Sequence, residues 1–174
     1  TGVGLMPHYH PVRFAEDTAV LDNISNGRVE LCFGIGYLPF EMSGYGYDPK
    51  TRGRRSDEIL HIVRRLWQGE TVTFKGEFHD LTKARIFPLP VQKPSIPMFI
   101  GAVAPPGLKR AAKYGDGYAG PLVNWPAYVE EVKALGKPAS AARIISIDAA
   151  DLWSVVTDDP EAGLNEIAPH CYYQ

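Results

Sequence analysis

Two histidines, one tyrosine, a cluster of arginines and two glycine-bearing strand ends are the residues whose types and spacing could do chemistry. His8 and His10 follow a short apolar stretch, 1–6, that stops at Pro7. An imidazole just past a strand end can exchange protons near neutral pH or touch a substrate. His10 could equally cap, or pack under, the helix that follows. Gly34-Ile35-Gly36-Tyr37 closes a second apolar stretch. Missing side chains let a flat ring or a phosphate lie against the backbone, and Tyr37 could stack on such a ring. A plain strand-end turn explains the same glycines. Gly101-Ala102-Val103-Ala104 runs into Pro105-Pro106. Amide N–H groups at a strand-to-helix junction bind anions without side-chain help, although the two prolines remove two donors. An ordinary turn would look identical. Arg52, Arg54 and Arg55 form the densest basic run. A guanidinium suits phosphate through paired hydrogen bonds. Arg54 could instead pair with Glu58, four residues along the same helix.

These residues need elements to hold them. Pro11 sits where a helix tolerates proline, at its first position. Phe14, Ala15, Ala19, Leu21 and Ile24 recur at helical offsets, and Gly27 is a natural stop. Residues 29–35 are β-prone and largely apolar, as in a buried strand. The segment 37–53, rich in glycine and aromatics, reads as a long loop able to wall a substrate pocket. Ile59, Ile62, Val63, Leu66 and Trp67 then mark the clearest amphipathic helix, ended by Gly69. Residues 71–74 and 77–81 flank Lys75-Gly76 as a small hairpin. With the linker bearing Pro88, Pro90, Pro94 and Pro97, it makes an insertion over 70–97. Later come a strand at 98–101, a helix from Pro105, a turn at Asp116-Gly117 and a very short strand at 118–119. A helix over 125–135, strands at 144–147 and 152–156, and a last helix over 160–167 capped by Asp158 or Asp159 complete the chain. Asp22, Ser25, Gly27 and Arg28 read as the end of the first helix rather than a site. Strands alternating with helices imply βαβ units and a parallel sheet, an α/β fold.

Composition narrows the function classes. The 174 residues suffice for one domain with a real core. A formal net charge of −2 and a pI of about 6.2 give no basic excess for nucleic acid or anionic membrane. Cys32 and Cys171 lack metal-ligand spacing, so neither a zinc site nor a disulfide framework is expected. No apolar run approaches the ~20 residues of a membrane span. A cytoplasmic protein acting on a small molecule is the expectation.

The helix that opens at Pro11 and stops at Gly27, the strand ending in Gly34 and Gly36, the hairpin, the Phe87-Pro88-Leu89-Pro90-Val91-Gln92-Lys93-Pro94 linker and the later strands, taken as a set, resemble the bacterial luciferase-like family of flavin- or F420-dependent oxidoreductases. The resemblance runs over most of the chain, from residue 1 to about 116. It implies a (β/α)8 TIM barrel present in part, strands three to seven, within one domain, 1–174, incomplete at both ends. The uncovered edges of such a sheet favour a homodimer. It further implies FMN, or F420 in its place, against Gly2, Val3, Gly34, Gly36, Tyr37, Arg54, Gly101, Ala102 and Val103, with His8 and His10 as the catalytic candidates. The implied reaction is FMN-dependent oxygenation of a small organic substrate by dioxygen, with reduced flavin supplied by a reductase. F420-dependent hydride transfer, or a non-catalytic flavin-binding remnant of a barrel, are the alternatives.

Overall fold

The computed structural model describes residues 3–146, together with 159, 161, 162 and 165. Five short parallel strands make one sheet: β1 (Gly4–Leu5), β2 (Leu31–Gly34), β5 (Met98–Gly101), β6 (Gly117–Gly120) and β7 (Ile144–Ser146), in that spatial order. Register aligns Leu5 with Gly34, Phe33 with Ile100, Gly101 with Ala119, and Gly120 with Ser146. All five carboxyl ends therefore lie along one rim. Helices α1 (Pro11–Ser25), α3 (Arg52–Trp67), α4 (Pro105–Tyr114) and α5 (Trp125–Ala134) lie between the strands in sequence, as the alternation predicts. A separate antiparallel pair, β3 (Val72–Lys75) and β4 (Asp80–Ala84), forms the hairpin.

The core fills the layer between sheet and helices. Leu31, Phe33, Met98, Ile100 and Tyr118 from the strands meet Phe14, Ala15, Ile59, Ile62, Val63, Leu66 and Trp67 from α1 and α3. Phe14 packs edge-on against Phe33 at 5.0 Å between ring centres. The Trp67 indole N–H donates to the Ala15 carbonyl at 3.2 Å, so its one polar atom is satisfied in the core. Burying each large side chain of this kind is worth ~2 kcal/mol. β6 is buried along its whole length, which explains why so short a strand persists.

α1 keeps the stop that the sequence predicts: it ends at Ser25, Asn26 adopts a left-handed φ of +53° and Gly27 follows at +76°. Several other sequence expectations shift by a few residues for identifiable reasons. The segment 37–53 is not one loop. It holds a short helix α2 (Pro39–Gly44), a 3₁₀ turn (Pro49–Thr51) and the first residues of α3. The hairpin turn lies at 76–79 rather than at Lys75-Gly76. β1 is shorter than the apolar stretch that predicts it, and Met6–His8 is a 3₁₀ turn. Asp159 Oδ1 accepts the Glu161 and Ala162 amides at 3.1 Å each, as a cap does. The strand expected at 152–156 lies outside the described residues, as does most of the last helix.

Two carboxylates, Asp22 and the half-buried Asp116, tie together segments far apart in sequence. Asp22 is fully buried, and its oxygens accept the Gln92 amide N–H at 3.0 Å and the Gln92 side-chain N–H at 2.7 Å. At the same helix end the Arg28 Nε donates to the Ser25 carbonyl at 2.8 Å. Asp116 Oδ2 accepts the Met98 amide at 2.8 Å and Arg64 Nη2 at 2.7 Å, so the expected turn residue also locks β5 to α3. Removing the Asp22 carboxylate takes the acceptor from two half-buried donors of Gln92. Asp22→Ala is expected to cost about 3 kcal/mol of stability, read as a lower midpoint in urea unfolding with an unchanged slope.

Candidate functional site

The rim at the strand carboxyl ends is where this architecture places ligands. Gly34 and Gly101 face each other across it: a Cβ on Gly101 would stand 3.3 Å from the Phe33 carbonyl and 3.7 Å from the Gly34 Cα. Gly36 has φ +75°, and a Cβ there would press on Met42 Cε at 3.0 Å. The glycines thus serve close backbone approach as well as leaving the rim flat. Val3 is 52% exposed, with Cγ1 3.5 Å from the Gly34 Cβ position. Gly2 lies outside the described residues. Tyr37 and Val103 stand out from the rim, 76% and 75% exposed. The Ala102 N–H donates to the Ala119 carbonyl at 3.1 Å, which removes it from any anion-binding role.

Beyond the rim, His8 stacks on Tyr45, with ring centres 3.9 Å apart and planes 11° from parallel. Its other neighbour is Tyr47, at 5.7 Å. The Tyr47 ring in turn lies 5.1 Å from the Arg55 guanidinium carbon. Arg52 opens α3 and donates from Nη1 to the Pro49 carbonyl at 2.8 Å. Four buried side-chain atoms among the described residues have no hydrogen-bond partner: His8 Nε2, Tyr47 Oη, Arg52 Nε and Arg55 Nε. All four belong to this one cluster. Buried polar groups are rarely left unpaired, so a concentration of them marks a place where a ligand or ordered water completes the bonding. Tyr47 Oη and the two arginine Nε atoms can donate, which suits an anionic acceptor, whereas His8 Nε2 donates or accepts according to its tautomer.

The titration behaviour follows from burial. Burial pushes the His8 imidazole below its usual range, against a weaker opposing pull from Glu41. His8 is therefore neutral at pH 7. Burial pushes the Tyr47 phenol up, with Arg55 pulling the other way.

Arg54 does not join the cluster. Its side chain is 64% exposed and pairs with Glu77 Oε1 at 3.1 Å. Helix rotation instead points Arg52 and Arg55 inward. His10 occupies the N-cap position of α1 but makes no side-chain capping bond; its ring lies 6.1 Å from that of His79. Glu58 is a partner of the hairpin tip rather than of Arg54. The Glu58 carboxylate accepts the amides of Glu77, Phe78 and His79 at 2.6, 3.1 and 3.1 Å, and faces His79 Nδ1 at 3.0 Å. No signal local to either segment announces it. A separate cleft of about 310 Å³, lined by His61, Arg64, Arg65, Lys113 and Lys137, lies at the opposite end of the sheet.

Parallel strands alternating with helices, with polar groups gathered past the strand carboxyl ends, are the arrangement of (β/α)-barrel enzymes. The chain belongs to the luciferase-like monooxygenase family, whose sequence profile matches residues 1–171. It is 36% identical over 117 residues to the 4-hydroxyprotoasukamycin monooxygenase of Streptomyces nodosus subsp. asukaensis, covering 66% of this chain and 32% of that protein. It is 35% identical over 113 residues to the F420-dependent glucose-6-phosphate dehydrogenase of Amycolatopsis mediterranei, covering 63% of this chain and 33% of that protein. The monooxygenase RslO1 from Streptomyces bottropensis superposes with a TM-score of 0.81 at 26% identity, over 99% of this chain and 54% of that one. The chain thus spans about a third of these curated relatives and about half of that structure. The five strands are part of a luciferase-like TIM barrel, as expected from sequence. No helix of the described residues is long and apolar enough to cross a membrane.

The buried pair at the hairpin predicts how stability follows pH. Burial lowers the His79 imidazole despite the Glu58 bond that favours its charged form. Burial alone would raise Glu58, but the bonds from His79 and the hairpin amides hold it below its usual range. Both groups bind fewer protons folded than unfolded, so both stabilise the fold at higher pH. Unfolding free energy is expected to fall as pH drops below the ordinary histidine value of 6.5, then further below the ordinary glutamate value of 4.5. His79→Gln should flatten the upper arm in urea unfolding measured from pH 8 to 4.

Proposed function

We propose that this chain carries the cofactor-binding surface of an FMN-dependent monooxygenase acting on a small organic substrate. The observation behind this reading is the cluster of unpartnered buried polar atoms on His8, Tyr47, Arg52 and Arg55, beside a rim kept flat by Gly34, Gly36 and Gly101. FMN is a flat ring joined to a phosphate, and the two parts of the site fit those two parts of the molecule. Arg52 and Arg55 would hold the phosphate through charge-assisted bonds, with the Tyr47 hydroxyl as a further donor. The glycine backbone would lie against the ring, with Tyr37 and Val103 at its border. Reduced flavin supplies the reaction with dioxygen; the protein binds, orients and excludes water. His8, neutral and with Nε2 unpartnered, is placed to accept a proton at that atom. A separate cytoplasmic reductase would supply the reduced flavin.

F420 also carries a flat tricycle and a phosphate, and one relative is named for its use. Binding separates the two. In an anaerobic titration followed by absorbance, reduced FMN is expected to bind saturably in the micromolar range. Arg52→Ala and Arg55→Ala should each weaken it about tenfold or more, the worth of one or two charged hydrogen bonds. Arg54→Ala should leave it within about twofold, as expected for an exposed pair. Tighter binding of F420 than of FMN would transfer the reading to hydride transfer. No binding of either by the folded chain would overturn it.

A further inference from the structure

The hairpin tip is joined to the donor cluster by an unbroken run of contacts. Glu58 gathers three consecutive amides, those of Glu77, Phe78 and His79, onto one carboxylate. The approach is tight enough that a Cβ on Gly76 would stand 2.5 Å from Glu58 Cδ and Oε1. The clasp sets where the Phe78 ring lies. That ring sits 4.6 Å from the Arg55 guanidinium carbon, and the Tyr47 ring sits 5.1 Å from the same atom. Tyr47 and Tyr45 then flank His8 at 5.7 and 3.9 Å. Arg55 is thus held by two ring faces, and no carboxylate among the described residues pairs with it. A guanidinium held this way keeps its full charge and leaves its N–H edge for a ligand. A carboxylate in place of either ring would have neutralised it.

We propose that the hairpin tip is a positioning element for the ligand site, with Phe78 and Glu58 acting through Arg55 to set the geometry of Tyr47 and His8. This rests on reading the donor cluster as the flavin site. The hairpin would be more than a cover for α3: its tip fixes a cation that it does not itself present to the ligand. Phe78 and Glu58 are positioning residues.

The test uses the full chain and two readouts: affinity for reduced FMN, and the imidazole resonances of His8 in the ligand-free protein. Phe78→Leu keeps apolar volume but removes the ring face. It is expected to weaken FMN binding about fivefold, the scale of one cation–π contact, and to shift the His8 resonances. Phe78→Trp restores a ring face and should recover both. Glu58→Gln should move both readouts in the direction of Phe78→Leu; if it fails to fold, the Phe78 pair still decides. Unchanged affinity and unchanged His8 resonances in Phe78→Leu would overturn the proposal. So would a Phe78→Trp protein that regains thermal stability without regaining the two readouts, since that is the mark of a merely structural ring. Should the unaltered chain bind no flavin, the functional reading fails by itself. The His8 resonances then decide the positioning role alone: a shift in Phe78→Leu supports it, and none refutes it.

Discussion

The rotation of α3 about its own axis is the constraint on which most of the molecule depends. Its buried face, Ser56, Ile59, Leu60, Ile62, Val63, Leu66 and Trp67, must lie against α1 and the sheet, and that requirement leaves one orientation. Every charged position on the helix then has a fixed destination. Arg52 and Arg55 turn toward the strand ends, Glu58 toward the hairpin, and Arg64 toward Asp116 and the Tyr114 carbonyl. Asp57 meets Arg110 of α4. An apolar stripe of one helix thus places the groups that bind, clasp and lock, although none of those groups belongs to the stripe.

Two kinds of polar arrangement result. Asp22, Glu58, Asp116 and Arg64 are satisfied by bonds that cross long stretches of sequence, and they hold linkers and helices in place. His8, Tyr47, Arg52 and Arg55 form the opposite arrangement, with buried polar atoms left open beside the strand ends. A molecule that satisfies its polar groups so fully elsewhere leaves these open at a cost of roughly 1–3 kcal/mol each. The expense is concentrated where a ligand would relieve it.

The architecture was legible because its signals are local. The 3.6-residue stripe of α3, the proline openings of α1 and α4, and the glycine-ended strands each declare themselves within a dozen residues. What escaped has a different origin. Helix α2 is six residues long, too short to show a period, and Gly44, Gly46 and Gly53 read as breakers. Yet Gly53 lies inside α3, where a Cβ would stand 2.9 Å from the Arg110 guanidinium. Without the helix start, the inward-facing Arg52 and Arg55 cannot be told from the exposed Arg54. The hairpin register shifted because Glu58 draws the amides of 77–79 out of the strand ladder. That pairing spans about twenty residues, like the Asp22–Gln92 bond that spans seventy, and sequence spacing carries no trace of either.

The way Glu58 is held has one more implication. Three successive peptide N–H groups converging on one oxygen pair form a receptor for an anion, and here the protein fills it with its own side chain. The hairpin tip is therefore an occupied anion receptor. Shortening that side chain to alanine would empty the receptor and loosen the turn whose amides it gathers. Acetate or formate from solution would then compete for the vacancy and restore the hairpin in proportion to its concentration, a chemical complementation confined to one turn.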